Sequence, residues 1–190
     1  RGSTSAIYLD QPAARFASFV KKLLPGAQRV GLLISDETRP ALATTRQSLG
    51  GLVIDSEDVA SDSNLLDAAN NLLPRVNLLL ALPDSKIYTR DNIKSILVTS
   101  YRHQRPVIAF SKAFVNAGAL AAIYSTPDQI ARQASDLLNT LPGGISQLPP
   151  AQAPSLFAIS INSAVAQSLN LDVPDEAVIR RSLQAEVNPK

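Results

Sequence analysis

Residues 77–82 read NLLLAL and residues 29–34 read RVGLLI, and these two stretches carry the strongest signal of the fold class. Each is short enough to be a strand, and neither shows the apolar–polar alternation of a half-exposed strand. Continuous apolar character is typical of strands that are covered on both faces, as in a parallel sheet between layers of helices. The two stretches therefore predict an α/β fold.

Strand-like and helix-like segments alternate along the rest of the chain. Further strands are predicted at residues 6–9, 52–54, 106–110 (PVIAF), 119–124 and 157–161. Apolar residues at helical spacing predict helices at 13–24, 40–49, 65–73, from Thr89, from Thr126, after Asn162 and from about Pro174. This alternation predicts a mostly parallel sheet with helices on both faces, in which RVGLLI, NLLLAL and PVIAF are central strands.

Composition narrows the possible functions. The chain has 190 residues, 45% of them apolar and 18% charged, and a net charge of +2 without a basic stripe, so nucleic-acid binding is not expected. The absence of cysteine excludes disulfides, thiolate catalysis and cysteine-based zinc sites. His103 is the one histidine, and we expect it to be a solvated cation at a helix end rather than a metal ligand or a catalytic base.

Motifs of catalysis are also missing. The sequence has no G-x-S-x-G nucleophile turn, no phosphate-binding loop and no G-x-G-x-x-G dinucleotide turn. We therefore expect a protein that is not an enzyme and that uses no cofactor and no metal. Paired carboxylates among the sixteen acidic residues stay open at this point.

Polar residues follow the predicted central strands at their carboxyl ends. Ser35 follows RVGLLI, Asp84 and Ser85 follow NLLLAL, and Ser111 follows PVIAF beside Phe110. Ligands of open α/β sheets bind outside the carboxyl ends of the strands, so these five residues are the predicted ligand contacts. Each of the polar residues has a competing interpretation as a helix cap or turn residue.

The ends and the connector of the chain bear on its domain organisation. The chain begins Arg1-Gly2-Ser3-Thr4 and contains no methionine, which predicts a mature or trimmed fragment. Residues 141–154 (LPGGISQLPPAQAP) form a Pro/Gly-rich connector. The connector is either a domain boundary or a surface crossover within one α/β domain spanning residues 1–190, and we favour the single domain.

Four segments resemble one family, in order and in spacing. Residues 8–35 (YLDQPAARFASFVKKLLPGAQRVGLLIS) resemble the opening of the second lobe in bacterial ABC-transporter substrate-binding proteins of the aromatic-amino-acid type. Residues 77–111, 115–138 (VNAGALAAIYSTPDQIARQASDLL) and 157–174 (FAISINSAVAQSLNLDVP) resemble the sections that follow. The likeness covers nearly the whole chain, although Ser85 stands where family members often carry asparagine, which leaves the solute class open.

The resemblance implies a type-I periplasmic-binding fold, with two α/β lobes joined by crossing strands and a solute in the cleft between them. It implies a periplasmic or lipid-anchored extracytoplasmic protein, after removal of a signal peptide, that delivers a small polar solute to a membrane permease. The chain starts where the second lobe starts, so a first lobe of roughly a hundred residues would be absent. Residues 125–154 would then associate with that lobe, and the exposed cleft face would be free to bind a second copy of the chain.

Two other functions remain open on the same fold. One is a sensory or regulatory ligand-binding module, and the other is a flavodoxin-like enzyme, because one fold hosts many functions.

Overall fold

The computed structural model describes residues 4–141 and 148–187. They form one sheet with helices around it. The strands are β1 (Arg29–Ile34), β2 (Val53–Asp58), β3 (Leu78–Leu80), β4 (Val107–Ala109), β5 (Ala121–Tyr124) and β6 (Ala158–Ile161). The α-helices are α1 (Ala13–Leu23), α2 (Leu42–Ser48), α3 (Leu65–Leu72), α4 (Arg90–Arg102), α5 (Lys112–Ala117), α6 (Pro127–Thr140), α7 (Ser163–Ser168) and α8 (Glu176–Val187).

The sheet is mostly parallel, with the strand order β2-β1-β3-β4-β5-β6. The first five strands pair in parallel, and β6 pairs antiparallel with β5. The predicted α/β fold class is confirmed, and RVGLLI, NLLLAL and PVIAF supply the three adjacent strands β1, β3 and β4. The order reverses between β1 and β3, since β2 lies on one side of β1 and all later strands lie on the other.

Helices cover both faces, as the apolar strands predicted. Val30, Leu32 and Ile34 of β1 pack in one core with buried residues of α1, α7 and α8. Leu33, on the opposite face of the same strand, packs in a second core with buried residues of α3, α4 and α5. Because successive side chains of a strand point to opposite faces, an uninterrupted apolar run is what fills both cores.

Local sequence signals set several helix starts. Thr89 accepts a hydrogen bond from the backbone N–H of Asn92 at the start of α4, and Asn162 accepts one from Val165 at the start of α7. At α6, Thr126 and Gln129 form the predicted capping box behind Pro127. His103 follows the last turn of α4, as predicted, and its Nε2 lies 2.9 Å from Asn70 Oδ1.

Three predicted elements differ from the structure, and one further helix is present. Residues 6–9 form an isolated parallel bridge between Ile7 and Gln152 rather than a strand of the sheet. The strand predicted at 52–54 runs to Asp58, because β2 stays in register with β1 over six residues and its polar side chains reach solvent at the sheet edge. The helix predicted from Pro40 starts as a 3₁₀ turn (Arg39–Ala41). Helix α5 was not predicted. Residues 142–147 of the connector lie outside the described residues.

Candidate functional site

The five predicted ligand contacts lie along one edge of the sheet. Ser35 follows β1, Asp84 and Ser85 follow β3, and Phe110 and Ser111 follow β4. Since β1, β3 and β4 are adjacent and parallel, their carboxyl ends share an edge. The structure therefore brings together the residues that the sequence placed together, while their role as ligand contacts stays a prediction.

The Asp84 carboxylate is the centre of a buried hydrogen-bond network at this edge. Asp84 is 4% exposed. Its Oδ2 accepts hydrogen bonds from Ser35 Oγ at 2.8 Å and Thr38 Oγ1 at 2.7 Å. Its Oδ1 accepts from the backbone N–H groups of Lys86 at 3.0 Å and Ile87 at 3.1 Å. Four donors of the protein itself thus bind the carboxylate that the sequence predicts to be a ligand contact.

The pKa of Asp84 reflects two opposing effects. Burial alone would raise the pKa of this carboxyl, because the charged form loses its hydration. The hydrogen bonds from Thr38, Ser35 and the two backbone N–H groups stabilise the charged form and hold the pKa below its ordinary value. Asp84 is therefore a buried anion whose charge is satisfied within the protein.

Two outer contacts join the same pair of loops. Ser85 donates from its hydroxyl (2.6 Å) and its backbone N–H (3.2 Å) to Glu37 Oε2. Lys86 Nζ lies 2.7 Å from both carboxylate oxygens of Asp36, and this hydrogen bond lowers the pKa of Asp36. Both contacts are exposed, so they contribute less than the Asp84 network. Together they hold the loops after β1 and β3 against each other.

An aromatic cluster lies beside β4. The rings of Tyr88 and Phe110 meet edge to face with centroids 6.1 Å apart, and Phe114 lies 5.7 Å from Tyr88 and 5.0 Å from Phe110. Phe110 is partly exposed, whereas Tyr88 is buried and its hydroxyl has no hydrogen-bond partner among the described residues. Burial, with a smaller effect of the Asp84 charge, raises the pKa of Tyr88. Ser111 precedes α5, and its side chain makes no capping bond within the described part of the chain.

A cavity of about 260 Å³ opens at the point where the strand order reverses. Its walls are the carboxyl half of β1, the start of α1, the 3₁₀ turn and α2, and Leu82 and Pro83 after β3. Four polar residues line it: Asp10, Gln11, Thr38 and Thr45. Reversal points of this kind are where open α/β sheets bind ligands, which makes the cavity the best candidate site.

None of the four polar lining residues was predicted from the sequence. Thr38 lies four residues after the predicted strand 29–34, so its position in the sequence indicates that it lies near the carboxyl edge of the sheet. Asp10 and Gln11 precede α1, and their nearness to β1 depends on the path of the chain before that helix. Thr45 lies within α2 and carries no local signal.

A second polar network fixes residues 11–15 to the segment after β5. Gln11 is buried and donates from Nε2 to Ser125 Oγ at 2.7 Å, and Ser125 donates to the carbonyl of Leu156 at 2.6 Å. Arg15 donates to the carbonyl of Pro154 at 2.8 Å, and its guanidinium lies 4.9 Å from the centroid of the Phe157 ring. These contacts hold together residues 11–15, Ser125 after β5 and residues 154–157 before β6.

Helix α6 buries a polar residue against the rest of the chain, while its apolar side is only partly covered. Its one buried residue is Gln133, which accepts from the Ser155 backbone N–H at 2.8 Å and donates to the Ala153 carbonyl at 3.1 Å. Leu138 is 66% exposed. The apolar side of α6 lines a concavity of about 400 Å³ that residues 5–7 and 148–149 complete. We call this surface the α6 face.

Two further findings describe the chain as far as the structure shows it. Across residues 4–141 and 148–187 there is no cluster of three or more His, Asp or Glu side chains that could hold a metal ion. In the same ranges, no helix combines the length and the apolar character needed to cross a membrane.

Comparison with known proteins identifies the fold through solved structures. No protein-family model and no curated protein sequence matches the chain. A conserved domain protein of Vibrio cholerae superposes with a TM-score of 0.72 at 18% identity, over 93% of this chain and 61% of that one. An ABC domain in complex with L-Trp from Streptococcus pneumonia gives 0.69 at 17% identity, over 94% and 62%.

A third solved structure is a ligand-free, open substrate-binding protein with adhesive properties from Clostridium difficile. It gives a TM-score of 0.71 at 15% identity, over 90% of this chain and 59% of that one. The fold is thus the one seen in substrate-binding proteins. The chain spans less than two thirds of the length of each of these three proteins.

Proposed function

We propose that this chain is the solute-binding component of a bacterial ABC importer and holds a small polar solute at the carboxyl edge of its sheet. The observation that carries the proposal is the cavity at the reversal point between β1 and β3. The shared fold supports it, because two of the three similar structures are named for an ABC domain and a substrate-binding protein. The protein would act outside the cytoplasm and deliver its solute to a membrane permease.

The network around Asp84 suits this function by giving the site a fixed wall. Thr38 lines the cavity, and its hydroxyl donates a hydrogen bond to the Asp84 carboxylate at 2.7 Å. Solute sites bind more tightly when their polar groups are already in place, since less ordering is needed on binding. Phe110 and Ser111 lie farther along the same edge and would extend the solute contact surface beyond the cavity.

The α6 face supports the second part of the proposal, that this chain is mostly one lobe of a two-lobed protein. An amphipathic helix normally buries its apolar side, yet α6 buries Gln133 and leaves Leu138 exposed. A first lobe packed on the segment 125–154 would cover that side. The three similar structures are long enough to supply such a lobe, because about two fifths of each has no counterpart here.

Calorimetric titration with the twenty amino acids tests the solute function, with L-Trp as the first probe because the Streptococcus structure holds it. If one lobe supplies about half of a micromolar binding energy, this chain binds with a Kd near 1 mM and a two-lobed form binds near 1 μM. An Ala13→Phe variant, which fills the cavity, abolishes binding, whereas Val53→Ala at the amino end of β2, outside the cavity lining, does not. Binding that survives Ala13→Phe rejects the cavity as the site.

Sedimentation velocity tests whether the α6 face binds a second copy of the chain when no first lobe covers it. We expect concentration-dependent dimers that Leu138→Gln weakens. Val178→Gln on α8 removes a side chain of comparable exposure (50%) from another surface and serves as the control. A chain that stays monomeric at millimolar concentration, or an equal effect of both variants, rejects self-association through this face.

A further inference from the structure

The cavity wall is mostly apolar and carries a single ionisable side chain. Its apolar lining consists of Ala13, Phe16, Leu32, Leu33, Ile34, Ala41, Leu42, Leu82 and Pro83. Asp10 is the one ionisable residue among the thirteen that line it, and no lysine, arginine or histidine is among them. A group that enters this cavity therefore meets a mostly apolar surface and one carboxylate.

Two of the four polar lining residues are already engaged within the protein. Gln11 donates to Ser125, and its carbonyl oxygen accepts a hydrogen bond from Arg15. The Thr38 hydroxyl donates to Asp84 and accepts from the Ser35 backbone N–H at 3.1 Å. The Asp10 carboxylate and the Thr45 hydroxyl take no part in these pairs, so they are the polar groups that the cavity offers to a ligand.

Charge then decides between classes of ligand. An ammonium group gains from the exposed Asp10 carboxylate in the lining, whereas an anionic group is repelled by it. An anion would also give up its hydration without meeting a compensating cation, which is costly in an apolar surrounding. The volume of about 260 Å³ lies just below the range of drug-sized sites and suits a compact group such as a branched alkyl chain or one ring.

We propose that this cavity binds the apolar group of an amine-bearing solute, with the ammonium at Asp10, and excludes carboxylates, phosphates and sulfates. The inference rests on the proposed function, because it assigns a chemical class to the same site. A carboxylate elsewhere in the solute would lie outside the cavity. Asp10 is then the residue that determines charge specificity.

Three probes with the same alkyl group test the assignment: 3-methylbutylamine, 3-methylbutanol and 4-methylpentanoate. At pH 7 the first is a cation, the second neutral and the third an anion. Titrations followed by ¹H–¹⁵N NMR on the whole chain give both the Kd and the position of binding, from the amides of the lining residues. We expect the amine to bind at least tenfold more tightly than the carboxylate, with the alcohol between them.

Matched variants separate this inference from the function on which it rests. Asp10→Asn brings the ratio of the amine affinity to the carboxylate affinity to within about twofold of one. The same substitution leaves the affinity for the alcohol unchanged. Asp36→Asn, an exposed acid at the same sheet edge that does not line the cavity, leaves the ratio at its original value. Equal binding of all three probes at the cavity, or a ratio that Asp10→Asn does not alter, overturns the charge assignment and leaves the cavity as a solute site. If no probe shifts the lining amides, both proposals fail.

Discussion

Replacing Asp84 removes the acceptor that joins the loops after β1 and β3. In Asp84→Ala, two hydroxyl groups and two backbone N–H groups lose a charged partner. Hydrogen bonds to charged groups contribute about 1.5–3 kcal/mol each, and they are not additive because the loops relax and admit water. We expect a loss of about 3–5 kcal/mol for Asp84→Ala. Asp84→Asn keeps one acceptor oxygen for the backbone N–H groups, so its expected loss is about 1–2 kcal/mol.

Urea denaturation measures this loss. With a slope of about 2–3 kcal/mol per molar for a domain of this size, Asp84→Ala lowers the midpoint by roughly 1–2 M. Asp36→Asn is the matched control, since its side chain is 73% exposed in its ion pair with Lys86, and we expect no resolvable change in the urea midpoint. Equal midpoints for Asp84→Ala and Asp36→Asn would refute the central role given to Asp84.

The same measurement as a function of pH checks the origin of the effect. Because the pKa of Asp84 is lowered in the folded state, its charge stabilises the fold above the unfolded pKa of about 3.9. That contribution is lost as the pH falls through the folded pKa. The gap between the parent chain and Asp84→Asn therefore narrows below about pH 4, and a gap that stays constant down to pH 2 would contradict the reasoning.

Three further substitutions test packing and backbone geometry, each by urea denaturation. Tyr88→Phe removes a buried hydroxyl that has no hydrogen-bond partner in the described part of the chain and raises stability by about 1 kcal/mol, whereas a loss would reveal a partner for that hydroxyl. Gln104→Gly relieves a residue at φ 56° after α4 and stabilises by about 0.5–1 kcal/mol, and a loss would show that its side chain matters more than its backbone. Gly31→Ala places a Cβ 3.1 Å from side-chain atoms of Leu72 and Val76 and destabilises by about 1–3 kcal/mol, so an unchanged midpoint would mean that these side chains move aside freely.

Much of the fold could be predicted because its signals are local. The apolar runs of β1, β3 and β4 report cover on both faces, and the residues Thr89, Thr126 and Asn162 cap helices within three positions of themselves. Helix α5 escaped prediction because it has six residues, too few to display helical periodicity. The edge strand β2 is longer than predicted because four of its six side chains are polar and lack the apolar pattern of a strand.

The candidate site was predictable in place and less so in detail. Parallel strands bring Ser35 and Asp84 to one edge, and that much follows from the sequence. Their direct hydrogen bond joins residues 49 positions apart and depends on β1 and β3 being neighbours, which no local pattern reveals. The cavity depends on the space left between α1 and α2, so Asp10 and Thr45 could be recognised only once the helices were in position.

The antiparallel pairing of β5 with β6 changes how the segment between them is understood. Tyr124 pairs with Ala158 across the two strands, so the sheet is continuous where the chain leaves it and returns. In topological terms, residues 125–157 are an insertion into a β-hairpin, where a turn of two residues would suffice to connect the strands. Strand pairing does not require α6 or the connector. Their presence is therefore better explained by what they contact outside the sheet than by the folding of the sheet itself.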